Sequence, residues 1–258
     1  MTRDRRSTGA PGPPRRARQG AARAAGGGPD GRPGGAGVGG RVPAGRGAPP
    51  SPDRVWYAAY GSNMHTARLR AYLTGGPAPG GSRTYPGCRD PRMPLRSLAL
   101  ELPGRVYFAT ESLVWTGGRA FYDPDVPGGV RARAHLVTAG QFADIAAQEM
   151  YGPPGHDLDL TLALTEGRAQ LGPGRYETLV CPGEIDGFPV LTFTAPWRMT
   201  EIEWNPPSAT YLQHLAAGLL EADAWDIPST AAYLADLPGA ASHWTAEEVR
   251  LLTAGNAP

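Results

Sequence analysis

The first 50 residues of this 258-residue chain contain almost nothing that can build a hydrophobic core. Gly and Pro supply 22 of these positions, no aromatic residue is present, and two Val are the only β-branched aliphatic residues. A segment of this composition buries too little apolar surface to offset the conformational entropy that folding would remove. The sequence therefore predicts a disordered tail over residues 1–50 and one folded domain over residues 51–258.

The charges divide the chain at the same place. The first 50 residues carry ten Arg and two Asp, whereas the remaining 208 carry 15 Arg and 22 acidic residues. A basic arm can bind nucleic acid by neutralising phosphates, but this arm has no aromatic side chains on which bases could stack. The chain also has no Lys at all, which indicates a compositional bias toward Arg. Nucleic-acid binding is therefore the less favoured interpretation of the tail.

The sequence shows no pattern of membrane insertion, secretion or metal binding. No run approaches the 18 or so apolar residues that span a bilayer, and no apolar segment follows the N-terminal Arg residues as in a signal peptide. Cys88 and Cys181 stand apart without a CxxC pattern, and His156 with Asp157 and Asp159 has no second His or Cys pair nearby. We therefore expect a cytoplasmic protein with reduced cysteines, no metal and no other cofactor.

The folded part reads as strands framed by helices, which predicts an α+β fold. Thr138 and Gln141 have the spacing of a capping box at a helix start, and Asp186-Gly187 has the composition of a hairpin turn. The predicted strands cover residues 54–60, 95–102, 106–111, 120–122, 130–137, 176–180 and 188–194, and the predicted helices cover 64–73, 138–150, 208–222, 229–234 and 245–252.

Glu149 is the first candidate functional residue, because it falls on the apolar stripe of its predicted helix. It follows Phe142, Ile145 and Ala146 at spacings of three and four residues, which share one helix face. A carboxylate that is removed from water becomes a better proton acceptor near neutral pH. The alternatives are an Arg partner or a position at the edge of the stripe, from which the side chain reaches water.

The second candidate is the four-residue sequence Tyr60-Gly61-Ser62-Asn63 between a predicted strand and a predicted helix. Successive backbone N–H groups at such a junction can bind an anion, and Gly61 lets a ligand come close to the backbone. The same four residues would also suit an ordinary connection in which Asn63 caps the helix. The pattern alone does not decide between a binding loop and a simple turn.

Three segments in order resemble the gamma-glutamylcyclotransferase-like family. WYAAYGSNM at residues 56–64 is similar to the family's YxAYGSN signature, IAAQEM at 145–150 to the segment with its catalytic Glu, and PPSATYLQHLAAGLLEA at 206–222 to its C-terminal helix. Three motifs in the family order are far more specific than any one of them. The resemblance implies a small mixed β-barrel with surrounding helices, a C-terminal helical segment and an active site at the barrel mouth.

The resemblance also implies site residues and a reaction. The family's acid/base corresponds to Glu149, and a substrate-contacting Tyr of several members corresponds to Phe193, which has no hydroxyl group. The implied reaction cyclises a γ-glutamyl amine and releases 5-oxoproline and the free amine, without metal or nucleotide. The implied substrate-binding residues are Tyr57, Ala58, Ala59, Tyr60, Gly61, Ser62, Asn63 and Phe193.

Two other functions fit the same residues. Glu149 could activate water, which would make the chain a metal-independent amidase or deacetylase, or the fold could bind a small molecule without turnover. Release of 5-oxoproline from a γ-glutamyl amine indicates the first function, free glutamate or acetate indicates hydrolysis, and ligand-dependent melting without product indicates binding. The expected partner in each case is a small γ-glutamyl or acylamine compound.

Overall fold

The structure is a computed structural model, which describes residues 15–16, 52–80 and 83–254. The predicted tail over residues 1–50 therefore lies outside the described residues, except for Arg15 and Arg16, whose backbone pairs with a strand of the domain. Within the described residues, no helix is both long enough and apolar enough to cross a bilayer.

The described residues form an α+β fold with six helices. The strands are β1 Arg15–Arg16, β2 Arg54–Ala59, β3 Gly76–Pro77, β4 Thr84–Tyr85, β5 Arg96–Pro103, β6 Arg105–Ala109, β7 Arg119–Asp123, β8 Gly129–Thr138, β9 Arg168–Gln170, β10 Thr178–Ile185 and β11 Phe188–Thr194. The helices are α1 Thr66–Thr74, α2 Ala139–Glu149, α3 Thr161–Glu166, α4 Ala209–Leu220, α5 Ile227–Ala235 and α6 Ala246–Ala254, and a 3-10 turn covers Ser62–Met64.

Strand β2 lies in the middle of one mixed sheet, whose order is β1-β5-β8-β2-β11-β10-β9. It pairs antiparallel with β8 and parallel with β11, so that Tyr57 is opposite His135 on one side and Leu191 on the other. The strand that enters the candidate loop is thus paired on both edges, and Val55, Trp56 and Ala58 are completely buried. This burial explains why its sequence is a continuous apolar run.

The closed barrel predicted from the resemblance is wrong for the described residues, because their sheet stays open. No hydrogen-bonded pair joins β9 to β5 or β1 in the described part of the chain. Instead, β9 packs against α3, and β6 and β7 form a separate hairpin that is bridged to Trp204 and Pro207. Helix and loop contacts thus cover edges that a barrel would close by strand pairing.

Local capping and turn chemistry explain most element boundaries. Thr138 Oγ1 accepts the N–H of Gln141 at 3.0 Å while the Gln141 side chain accepts the N–H of Thr138, which confirms the predicted capping box. Asp186 and Gly187 take positive φ angles in the β10–β11 turn, as the hairpin prediction requires. The three C-terminal helices are also confirmed, whereas α3 and the short β3, β4 and β9 were not predicted.

Candidate active site

A pocket opens where β2 ends, the 3-10 turn begins and α2 ends. It encloses about 660 Å³ together with its open mouth. Gly61, Ser62 and Asn63 contribute one wall and Glu149 faces them from the last position of α2. Trp115 and Tyr211 also line the cavity. Segments that are far apart in sequence therefore meet at this one place.

The carboxylate of Glu149 is bound by a side chain of the candidate loop. Asn63 Nδ2 donates to Glu149 Oε1 at 3.0 Å and also lies 3.3 Å from the Tyr57 hydroxyl oxygen. Asn63 is 3% exposed and Tyr57 is also 3% exposed, whereas Glu149 is only partly buried and reaches the cavity. The carboxylate is thus fixed by a neutral amide and remains accessible to a ligand.

Glu149 differs in this respect from the other carboxylate of the same helix. Asp144 is completely buried, and Arg89 binds it through its backbone N–H at 2.8 Å and through Nε at 3.0 Å. The N–H of Gly155 completes this cluster at 3.0 Å. No such ion pair holds Glu149 within the described ranges. An Arg partner was one of the two alternatives that the sequence left open for Glu149. In the structure Asp144 has such a partner, and Glu149 has none within the described residues.

The suggested capping role of Asn63 is wrong. Helix α1 begins after His65, whose side chain does not cap it, and Glu221 Oε2 accepts the N–H of Thr66 at 2.8 Å. Asn63 instead lies inside the 3-10 turn Ser62–Met64, which is closed by a hydrogen bond from Met64 N–H to the Gly61 carbonyl oxygen at 3.0 Å. Because Asn63 lies in this turn and not at the start of α1, its side-chain amide binds the Glu149 carboxylate.

The remaining predicted residues divide between the cavity and the core. Tyr60, Gly61, Ser62 and Phe193 line the cavity, as does Tyr57. The Phe193 ring stacks on Tyr57 with 5.4 Å between centroids, and the Tyr60 hydroxyl donates to the Phe193 carbonyl oxygen at 2.8 Å.

Ala58 and Ala59 do not reach the cavity wall. They are 0% and 2% exposed in β2 and pack in the core. Their small side chains therefore pack in the core around the central strand. Of the predicted substrate-binding residues 57–63, only Tyr57 and residues 60–63 line the cavity.

Burial keeps the tyrosine hydroxyl groups of the cavity protonated. The pKa of Tyr57 is raised well above its usual value, first by burial and second by the negative charge of Glu149. Burial likewise raises the pKa of Tyr211 to about 12 and that of Tyr176 well above the usual range. At neutral pH these groups can donate and accept hydrogen bonds, but they cannot serve as bases.

Sequence reasoning missed the cationic and aromatic parts of the wall. Arg68, Arg83 and Arg119 line the cavity together with Tyr72 and Tyr211. One signal was present in the sequence: Tyr211 belongs to the third motif. Nothing local marks the arginines, because their approach to the cavity depends on segments far away in the chain.

Asp157 and Asp159, which were weighed with His156 as metal ligands, have other partners. Asp157 Oδ1 accepts from Arg89 at 2.6 Å, and Asp159 Oδ1 accepts the N–H of Thr161 at 2.9 Å at the start of α3. Within residues 52–80 and 83–254, no three His, Cys, Asp or Glu side chains come together in a group that could hold a metal ion.

Comparison with known proteins finds similarity to a curated relative and to solved structures. No family model matches the sequence. Histone deacetylase 5 of Arabidopsis thaliana is 31% identical over 185 residues, which are 65% of this chain and 28% of that protein. The chain thus spans little more than a quarter of this relative's length.

A gamma-glutamyl cyclotransferase structure (TM-score 0.43, 15% identity) and an uncharacterized human protein (TM-score 0.44, 16% identity) each match 79% of this chain and 99% of their own. The first of these structures carries the name of the family that the three sequence motifs resemble.

Proposed function

We propose that the chain is a cyclotransferase that converts a γ-glutamyl amine into 5-oxoproline and the free amine. The observation that supports this most directly is the position of the Glu149 carboxylate, which is held at 3.0 Å by Asn63 and lines an open cavity. Glu149 is the proposed acid/base. The loop from Tyr57 to Asn63 and the ring of Phe193 are the proposed substrate-binding groups.

The choice of Glu149 as the base follows from the chemistry of the cavity wall. Among the described residues that form the wall, it is the one carboxylate, and the wall contains no His and no Cys. The hydroxyl groups of Tyr57 and Tyr211 stay protonated because burial raises their pKa values. Arginine side chains do not give up a proton under these conditions. A proton that leaves a bound substrate therefore has Glu149 as its acceptor.

One carboxylate is sufficient for an intramolecular cyclisation. Glu149 takes a proton from the α-ammonium group, and the freed nitrogen attacks the γ-carbonyl carbon of the same molecule. Glu149 returns this proton to the leaving nitrogen, and the bond from the carbon to that nitrogen breaks. The attacking nitrogen sheds a second proton as it becomes the ring N–H of 5-oxoproline, and this proton passes through Glu149 to the free amine. Holding the chain bent supplies an effective molarity on the order of 10⁵ M or more in favourable cases. No external nucleophile has to be activated.

The carbonyl oxygen that becomes negative during attack needs hydrogen-bond donors. The 3-10 turn begins at Ser62, and the first N–H groups of a helical turn have no acceptor within it. The hydroxyl of Tyr57 accepts from Asn63 Nδ2 at 3.3 Å, which leaves its own proton for the substrate. Donors fixed before the reaction stabilise the developing charge without reorganisation.

Glu149→Gln tests the proposal. The Gln amide oxygen can still accept from Asn63, so the fold should persist, but an amide cannot take up the proton. We expect the rate of 5-oxoproline release from γ-glutamyl amines to fall on the order of 10²- to 10⁴-fold, the usual contribution of a general acid/base. Mass spectrometry of the products under single-turnover conditions measures this rate.

Glu166→Gln is the matched control, because Glu166 also ends a helix but is exposed at the end of α3. Its replacement should leave the rate unchanged. Wild-type turnover by Glu149→Gln would refute the assignment of the base, and the absence of 5-oxoproline with every γ-glutamyl amine would refute the reaction.

Hydrolysis of an acyl amide is the second candidate, because the curated relative is named a histone deacetylase. In this reaction Glu149 would remove a proton from water, and water would attack the amide carbon. The products separate the two reactions: hydrolysis of a γ-glutamyl amine gives free glutamate, and hydrolysis of an acetylated lysine peptide gives acetate. Ligand-dependent melting without any product would instead indicate a binding module.

A further inference from the structure

The wall of the cavity carries more positive than negative charge. Arg68, Arg83 and Arg119 line it, and Glu149 is the one carboxylate among the described wall residues. None of the three arginines forms an ion pair with a carboxylate of the described residues. Three guanidinium groups therefore share a partly enclosed space with one negative charge.

Arg68 is held in the core by neutral groups. It is 1% exposed, and its terminal nitrogens donate to the Pro79 carbonyl oxygen and the Tyr85 hydroxyl oxygen, each at 3.1 Å. Its guanidinium carbon lies 4.4 Å from the centre of the Trp115 ring. The Nε atom is buried and has no hydrogen-bond partner among the described residues. A buried charge without a counter-charge is costly unless an anion can approach it.

Arg119 also lines the cavity, and like Arg68 it is buried and bound by a neutral group. It is 8% exposed, and one terminal nitrogen donates to the backbone carbonyl oxygen of Glu111. The Glu111 carboxylate itself accepts from the Gly117 N–H at 2.6 Å and from Asn205 Nδ2 at 2.9 Å, and not from Arg119. Arg119 Nε is also buried, and the part of the chain that the structure describes offers it no hydrogen-bond partner.

Arg83 adds the third charge at the rim. It donates to the Gln148 carbonyl oxygen at 3.0 Å, and its guanidinium carbon lies 4.4 Å from the centre of the half-exposed Tyr151 ring. Gln148 directly precedes Glu149, so this cation borders the entrance beside the proposed base.

We propose that the amine half of the substrate carries two negative charges and binds against Arg68 and Arg119. This inference rests on the proposed γ-glutamyl chemistry. A bound γ-glutamyl group is a zwitterion and does not change the net charge of the cavity. Three guanidinium groups and one carboxylate thus leave two positive charges, and a phosphomonoester or a pair of carboxylates on the amine half neutralises them. Guanidinium groups bind both anions through paired N–H donors.

The test compares γ-glutamyl amides that differ in the charge of the amine. The dianionic probes are the γ-glutamyl amides of O-phosphoethanolamine and of glutamate, the monoanionic probe is that of taurine, and the neutral probe is that of ethanolamine. We expect kcat/KM for 5-oxoproline release to be roughly 10- to 100-fold higher for at least one dianionic probe than for the neutral one. A ratio of this size corresponds to the energy of a hydrogen bond to a charged group. The two dianionic probes distinguish phosphate from carboxylate recognition.

Arg119→Met should bring the ratio between the dianionic and neutral probes close to one. Arg70→Met is the matched control, because Arg70 lies two residues from Arg68 on α1 but is exposed, and it should leave the ratio unchanged. Arg68→Met is a second variant whose fold must be checked by melting, since Arg68 is part of the core. Equal kcat/KM for all probes in the wild type, or an unchanged ratio in Arg119→Met, would overturn the inference.

A binding measurement separates this inference from the proposed reaction. If no probe releases 5-oxoproline, the proposed reaction fails, and the increase in melting temperature with each probe then decides the anion site. A larger increase with a dianionic than with the neutral probe, lost in Arg119→Met, supports the site. Equal increases in melting temperature with the dianionic and neutral probes, or no increase with any probe, reject the anion site.

Discussion

Tyr211 has a hydroxyl group that donates its proton to no acceptor in residues 52–80 and 83–254. Its oxygen accepts the N–H of Ala120 at 3.3 Å, and it lies close to the loop, 3.5 Å from the position that a Cβ atom on Gly61 would occupy. By contrast, Tyr176 donates its proton to the Ala120 carbonyl oxygen at 3.0 Å. The Tyr211 proton is therefore available to a carbonyl oxygen bound beside Gly61.

Tyr211→Phe should slow the proposed cyclisation with little effect on the fold. The variant keeps the ring, which stacks on Trp115, and removes one donor to the developing negative charge. We expect kcat to fall about 10²-fold, as for the loss of one oxyanion donor. The measurement is the steady-state rate of 5-oxoproline formation.

Tyr233→Phe is a suitable control, because the Tyr233 hydroxyl also accepts a backbone N–H, from Arg131 at 3.1 Å, but lies outside the cavity. Both variants lose a comparable hydrogen bond, so a similar drop in melting temperature is expected. A similar drop in kcat for both variants would mean that Tyr211 acts only through stability.

Single residues of the site differ in how far the sequence predicts them. Glu149 could be placed in the site because the stripe of its helix is a local pattern, and the structure does bring it to Asn63. The interaction of Asn63 with Glu149 could not be predicted, since a strand–helix junction reads equally well as a cap. Arg68 and Arg119 could not be predicted either, because their burial depends on Trp115 and Glu111, which no spacing rule connects to them.

At the scale of elements, helix α4 determines where the 3-10 turn lies. Gly218 of α4 faces the turn so closely that a Cβ atom on it would come within 2.5 Å of Met64 Cβ and 2.6 Å of the His65 nitrogen. Backbone and backbone-proximal atoms cannot move aside as a flexible side chain would. Glycine is therefore required at this position by the approach of the turn that carries Asn63.

Gly218→Ala should push the turn away from α4 and shift Asn63 relative to Glu149. We expect a loss of roughly 1–3 kcal/mol in the free energy of unfolding, as in other overpacked cores, together with a lower kcat/KM. Urea unfolding and the cyclisation assay measure the two effects.

Gly140→Ala is the control for helical glycines. A Cβ atom on Gly140 of α2 would meet no atom closer than 3.6 Å, and Ala is the better helix former by about 1 kcal/mol. This variant should be as stable as the wild type or more so. A Gly218→Ala variant that behaves like Gly140→Ala would show that the turn is not fixed by this contact.

Elements were predictable where their signals are local, and their arrangement was not. The capping box at Thr138 and the Asp186-Gly187 turn depend on neighbouring residues, and both formed as expected. The open sheet depends instead on which strands pair across long distances. The short strand β9 escaped prediction because three residues give no alternating pattern, and its pairing with β10 and packing against α3 replace the expected closure.

At the scale of the whole molecule, buried titratable groups determine how stability depends on pH. His135 lies in β8, opposite Tyr57, and is 1% exposed. Its Nδ1 atom is 2.8 Å from Ser97 Oγ, and Nε2 is buried with no hydrogen-bond partner in the described ranges. Burial, followed by the positive charge of Arg133, lowers the pKa of His135 to about 3. The folded protein therefore keeps this ring neutral under conditions in which the unfolded chain binds a proton.

The protein should lose stability as the pH falls below the pKa of an unfolded histidine, near 6.5. The lowered pKa of His135 means that its contribution is fully present above this value and is lost progressively toward pH 3. From His135 alone we expect a loss of about 2 kcal/mol between pH 7 and pH 5. Glu221 affects stability in a lower pH range. Burial opposes its ionisation, but hydrogen bonds from His65, Thr66 and Arg133 lower its pKa to about 2. Its contribution to the free energy of unfolding therefore disappears only below about pH 4.5.

His135→Gln isolates the histidine contribution, because the amide keeps polar groups near Ser97 but does not titrate. Urea unfolding at pH 7 and pH 5 gives the change in free energy for each protein, and any fixed cost of the substitution cancels in that difference. The variant should lose about 2 kcal/mol less than the wild type over this interval. His243→Gln, at an exposed position, should behave as the wild type. If His135→Gln showed the full wild-type loss, the acid sensitivity would have to come from other groups, such as the half-buried His214, whose pKa burial lowers to about 4.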